Sequence, residues 1–213
     1  MESTKLASYV ASRICHDLAA PLTPLMQSCE MLFDDGMGAA MKAEGEKALK
    51  QAIATLEAKL RFLRFALGSQ ALNDGQANLH ELKDMFHKLF AVNSKTELQW
   101  HIDTSRISNR QARVLMNMTL MMIDPATKGV CRVTAKEEGE ELILDVEAVG
   151  QFSNLKQEVQ EALAGREPTG GWGGGAIQPY FTRTLAEEIG FTLTARTPQG
   201  AAGLNARGPL HAT

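Results

Sequence analysis

Residues 11–22, ASRICHDLAAPL, set a histidine and an aspartate side by side in a stretch that otherwise reads as an amphipathic helix. Successive helical residues rotate by ~100°, so His16 falls roughly opposite Ile14 and Leu18 and faces solvent. Its neighbours one turn away are Ser12, Arg13, Ala19 and Ala20. Three of these are small, which leaves the imidazole open to a bulky partner, and the fourth is a cation. The carboxylate of Asp17 can hold the proton of one ring nitrogen and make the other a better nucleophile. Pro21 and Pro24 then interrupt the same periodic stretch. A helix-interior proline costs ~3 kcal/mol through a lost hydrogen bond and a clash with the preceding turn. A solvated filler histidine has no need of such company.

The elements that carry this trio read as helix throughout residues 1–68. Leu6, Val10, Ile14, Leu18, Leu22, Leu25, Cys29 and Leu32 form one stripe at three- and four-residue steps. The segment DDGMG, residues 34–38, supplies a turn. A second stripe, Leu49, Ile53, Leu56, Leu60, Leu63 and Leu67, has the heptad spacing of helices packed along their lengths. One hairpin cannot cover both stripes. A four-helix bundle made by two chains covers them, so a homodimer is expected; coverage by the rest of the same chain is the alternative.

After a polar linker at residues 68–78 the grammar becomes mixed. LHELKDMFHKLF, NRQARVLMNMTLMMI, NLKQEVQEALAG and AIQPYFTRTLAEEIG read as helices, with Pro125 stopping the second. ELQWHID alternates as a strand, and VCRVTAKEEGEELILDVEA and FTLTARTPQGAAGLNAR read as hairpins, the first turning within residues 137–140. The expected class is α+β: a helical hairpin over 1–68, then an α/β sandwich with a largely antiparallel sheet over 78–213.

Composition narrows the function. The chain has 213 residues, 44% of them hydrophobic, and a formal charge of −3. It carries no Lys/Arg run, so nucleic acid is not an expected partner. No apolar run approaches the ~20 residues of a membrane span, and the first residues lack the apolar core of a secretory signal. Cys15, Cys29 and Cys131 include no CxxC pair, which suits a reducing compartment and argues against a disulfide framework or zinc site. A cytoplasmic protein is expected.

The run H-D-L-A-A-P-L resembles the phosphoacceptor box of two-component histidine kinases, which pairs a histidine with an adjacent acid and a proline five residues on. With a short hairpin and an α/β unit behind it, the whole chain resembles the ChpT-type histidine phosphotransferases. The resemblance is specific at residues 12–22 and loose beyond residue 100. Ala19 and Ala20 stand where sensor kinases commonly carry a basic residue and a Thr or Asn, which speaks against autokinase and phosphatase activities.

In the kinases the second domain binds ATP. Here RVLMNMTLMMIDPA looks like the asparagine-box helix; with Asn117 at its first asparagine, the metal-holding position is Met121. A thioether is a poor ligand for Mg²⁺, which demands hard oxygen donors. LDVEAVGQF offers Glu147, Ala148 and Gly150 where the adenine site needs Asp-x-Gly-x-Gly. GREPTGGWGGG resembles the last glycine box but lacks the lysine and Ser/Thr of a P-loop. It is read as a flexible vestige. His80 and His87 are too far apart to share a metal, and the Met116–Met122 methionines read as core. His101, His211 and Cys15 carry no signal.

The resemblance therefore implies a degenerate ATPase-like domain and a phosphorelay intermediate. The ring of His16 would take a phosphoryl group from a receiver-domain aspartate and pass it to a second receiver. Asp17 would orient or deprotonate the ring, and Arg13 would help neutralise the phosphoryl oxygens. Ser12, Arg13, Ala19, Ala20, Thr23 and Gln27 would form the partner face. The expected partners are the receiver domains of a hybrid kinase and of response regulators. No intrinsic cofactor is expected, since a receiver can bring its own Mg²⁺ and lysine. The rivals are an ATP-dependent kinase with divergent boxes and a non-catalytic dimeric adaptor.

Overall fold

Two long helices build the N-terminal hairpin. α1 spans Ser3–Phe33 and continues through Pro21 and Pro24; α2 spans Ala39–Ala66. The turn between them closes where the Gly36 amide donates to Asp34 Oδ1 at 2.8 Å. The helices approach closely at Gly45, where a Cβ would come within 3.2 Å of Met31 Cβ. The computed structural model describes residues 1–68, 73, 75–92, 95–150, 153–173, 175–197 and 200–211, so part of the expected linker lies outside the described residues.

The heptad leucines do not all turn inward. The buried α2 positions are Gly45, Ala52, Ala58, Phe62, Leu63 and Ala66. Ile53 and Leu60 remain 49% and 43% exposed, beside Leu22, Met26 and Phe33 of α1 at 43%, 61% and 83%. Small residues let the two helices approach at Gly45, Ala52 and Ala58; Phe62 and Leu63 are buried near the end of α2, and Ile53 and Leu60 face outward. The outer faces of the two helices therefore carry apolar side chains that no described residue covers.

Residues 79–209 form a two-layer unit. α3 (Leu79–Val92), α4 (Asn109–Met122), α5 (Gln157–Leu163) and α6 (Ile177–Glu188) accompany β1 (Glu97–Asp103), β2 (Val130–Glu138), β3 (Glu141–Val149), β4 (Thr192–Arg196) and β5 (Ala201–Pro209). The sheet order is β1-β2-β3-β5-β4, with β1 parallel to β2 and every other pair antiparallel. Period-two burial decides its faces. Cys131, Val133, Leu144, Val146, Leu204 and Ala206 point into the core, where α3, α4 and α6 contact the sheet. Arg132 and Glu147 pair at 2.6 Å on the opposite face. The first hairpin turns at Gly139, whose φ of +64° suits glycine. Ser108 caps α4 in a reciprocal pair with Gln111.

The hairpin and the sandwich share one core. Phe62 and Ala66, both 0% exposed, belong to the cluster that includes Phe86, Leu115 and Leu144. Phe62 meets the Phe86 ring edge-on at 5.1 Å between centroids. The last carbonyls of α2 are also held: Arg113 Nε donates to Ala66 O at 3.1 Å, and Arg113 Nη2 to Leu67 O at 3.3 Å. Buried polar side chains of α4 thus cap the hairpin where it enters the second unit.

Candidate functional site: an exposed histidine above an interdomain groove

The helical period brings Tyr9, Ser12, Arg13, His16, Asp17 and Ala20 to one side of α1, where all six line a single groove. The His16 side chain is 82% exposed. Its Nδ1 lies 3.2 Å from Asp17 Oδ1, while Asp17 Oδ2 accepts from Arg13 Nε at 2.8 Å. With the ring proton on Nδ1 donated to Asp17, Nε2 keeps its lone pair for a nucleophile's work. Arg13 and Asp17 form an i,i+4 pair with side chains about one-quarter exposed, so the chain Arg13–Asp17–His16 is preorganised within one helix. Its precision does not depend on a loop.

The groove holds about 690 Å³. Its opposite wall comes from Lys59, Phe62 and Leu63 of α2, from Leu120 of α4 with Ile123 and Asp124 just beyond that helix, and from Lys156, Glu158 and the glycine-rich segment. Of the expected partner face, Ser12, Arg13 and Ala20 line this groove. Ala19 is exposed but outside its lining, and Thr23 and Gln27 are exposed further along α1. Sequence reasoning missed Tyr9, although it lies seven residues before His16 on the same helical face. It also missed the whole opposite wall, which only tertiary packing assembles.

A smaller cavity of about 220 Å³ adjoins the groove, between Met121, Leu155, Gly175 and Gln178. Here the boxes expected to be degenerate have structural duties. Asn117, 0% exposed, donates through Nδ2 to Ala66 O at 2.7 Å and Arg113 O at 2.8 Å, and accepts from Gln178 Nε2 at 2.7 Å. Both ends of its amide are committed to the protein. Glu147 sits on the outer sheet face in its ion pair with Arg132, away from this cavity.

Within the glycine-rich segment, Trp172 is an anchor point. Trp172 is 6% exposed, packs edge-on against Tyr180 at 4.5 Å, and shares a cluster with Tyr9 of α1. The aromatic ring holds the segment against both the second unit and the helix that bears His16. Gly174 lies outside the described residues. Among the described residues no three His, Cys, Asp or Glu side chains group to hold a metal, and no helix is long and apolar enough to cross a membrane.

The model of the histidine phosphotransferase C-terminal domain matches residues 79–201. The chain belongs to the histidine phosphotransferase family. The protein phosphotransferase ChpT of Brucella abortus (strain 2308) is 23% identical over 197 residues, 91% of each protein. A solved bacterial phosphotransferase superposes with a TM-score of 0.84 at 21% identity, covering 97% of both chains. The fold is shared with the kinases as well. The catalytic domain of histidine kinase ThkA matches 66% of this chain at a TM-score of 0.52 and 16% identity, over 99% of that domain. Histidine kinase AdeS of Acinetobacter baumannii matches 92% at 0.51 and 13%, over 98% of its own chain. The family membership and the kinase-like architecture agree with what residues 12–22 implied.

Proposed function

We propose that this family member is a phosphorelay intermediate that carries a phosphoryl group on His16 between receiver-domain aspartates. The observation that carries the reading is the exposed imidazole, oriented by an aspartate that is itself fixed by an arginine, on a rigid helix above a groove. In the forward step Nε2 forms a bond to phosphorus as the bond to the donor's aspartyl oxygen breaks. That oxygen leaves with the electron pair as a carboxylate, and a second aspartate reverses the step. Such transfer is mainly positioning and charge neutralisation, with Mg²⁺ and a lysine supplied by the receiver. Ser12, Arg13, Ala19, Ala20, Thr23 and Gln27 form the face that meets it.

ATP takes no part in this reading. Asn117 is consumed by three internal hydrogen bonds, Met121 replaces a hard ligand, and Glu147 faces the other side of the sheet. Two copies associate through residues 1–68, covering the exposed Leu22, Met26, Ile53 and Leu60 in a four-helix bundle.

The test is incubation with a panel of phosphorylated receiver domains, following acid-labile label onto this chain. Transfer from at least one receiver within minutes is expected. Asp17→Asn slows it about 10- to 10⁴-fold, the range of a lost base or orienting group, without preventing docking. Labelling from ATP and Mg²⁺ without any receiver would instead establish a kinase.

A further inference from the structure

The groove contains a cation that the sequence pattern does not single out. Lys59 lies on α2, and the antiparallel hairpin brings it level with the phosphoacceptor. Gly45 of α2 packs against Ser28, Met31 and Leu32 of α1. Fourteen residues onward along α2 and fourteen back along α1, Lys59 comes level with Ile14, Asp17 and Leu18. It lines the groove together with Arg13, His16 and Asp17. Asp17 binds Arg13 through one oxygen and His16 through the other, and Lys156 stands 4.0 Å from Glu158; the Asp124 carboxylate also lines the groove and forms no ion pair among the described residues. Half-buried Lys59 has no ion pair or hydrogen bond to any described residue.

We propose that Lys59 neutralises the phosphoryl group on His16, as a residue that contacts the transferred oxygens. The proposal rests on His16 being the phosphoacceptor. When Nε2 bonds to phosphorus, the ring becomes an imidazolium whose Nδ1–H stays on Asp17. Asp17 then offsets the ring's charge and holds Arg13 through Nε, so Arg13 shares its charge with that carboxylate and the dianionic phosphoryl oxygens gain from a second cation of this chain. A lysine ammonium is a compact charge on a flexible stem, suited to follow oxygens that move between two partners. Placed on α2, it acts from the side of the groove opposite the Arg13–Asp17 pair. Lys59 shares the groove with His16 and has no polar partner among the described residues that would give it a structural duty.

Phosphoramidate tests this without any receiver. The same nitrogen attacks phosphorus while the P–N bond breaks and ammonia leaves with its electron pair. Label at residue 16 is followed by peptide mass spectrometry, with melting recorded alongside. Lys59→Gln is expected to slow labelling about 10- to 100-fold, the lower part of the range for losing one charge-stabilising donor. Lys59→Arg is expected to keep most of the rate, and both variants to melt with the wild type. Labelling of Lys59→Gln at the wild-type rate overturns the proposal. Equal slowing in Lys59→Arg, or early melting of Lys59→Gln, overturns it too, because either makes position or packing the cause. Absence of label on residue 16 of the unaltered chain is a different result, which overturns the phosphoacceptor reading itself.

Discussion

Asn117→Ala separates a structural asparagine from a nucleotide ligand. The side chain makes three buried hydrogen bonds, to Ala66 O, to Arg113 O and from Gln178 Nε2. Each such bond contributes about 0.5–1.5 kcal/mol net, and stranded partners cost more than the bond's own worth. Two partners are cushioned: Ala66 O keeps Arg113 Nε at 3.1 Å, and Gln178 Nε2 keeps a long contact to Thr182 Oγ1 at 3.5 Å. A loss of about 3 kcal/mol follows, which for a chain of this length is roughly 6–12 °C in melting temperature. Asn117→Asp is expected to cost more, because its carboxylate would face the Ala66 and Arg113 carbonyls with no proton to donate. Calorimetric melting of both variants provides the assay. A metal- or nucleotide-holding asparagine would leave the apo protein nearly unchanged on removal, so a shift of less than about 1 °C for Asn117→Ala refutes the structural assignment.

Leu60→Asp is expected to give a folded monomer by sedimentation at micromolar concentration, because the residue is 43% exposed in one chain but an unpaired charge buried in a bundle costs several kcal/mol; an unchanged dimer would place the association elsewhere. The three cysteines are expected to react with a thiol reagent in order of access. Burial pushes the Cys131 thiol up to about 12, so at pH 8 only about one molecule in 10⁴ is thiolate even before access is counted. Exposed Cys15 is expected to react at once and Cys131 only on unfolding; fast reaction of all three in the native protein would contradict the packing of β2.

Local chemistry was legible in the sequence to the extent that it lay within one element. His16, Asp17 and Arg13 share α1, where helical geometry alone brings i and i+4 together. Tyr9 obeys the same rule and was readable in principle. Lys59, Asp124 and Glu158 come from three other places in the chain, and only the packing of the hairpin on the sandwich gathers them. The strand order was hidden for a similar reason: alternation identifies β1 through β5 but carries no pairing information, least of all the parallel β1–β2 pair. The heptad leucines show the limit of periodicity itself. Their spacing identified an apolar face on α2, yet Gly45 and Ala52 face inward and Ile53 and Leu60 outward, because close helix approach favours the smaller residues. The packing of Trp172 against Tyr9 and Tyr180 is invisible to composition, which shows only a run of glycines.

His16→Ala tests the central claim most directly. The side chain is 82% exposed and its one hydrogen-bond partner among the described residues is Asp17, so its removal is expected to change stability by no more than about 0.5 kcal/mol. Mixed with a phosphorylated receiver that labels the unaltered chain, the variant should gain no acid-labile label while keeping its melting temperature and its association state. Label arriving on His16→Ala at the unaltered rate, or a variant that simply unfolds, would make the histidine structural and contradict the account.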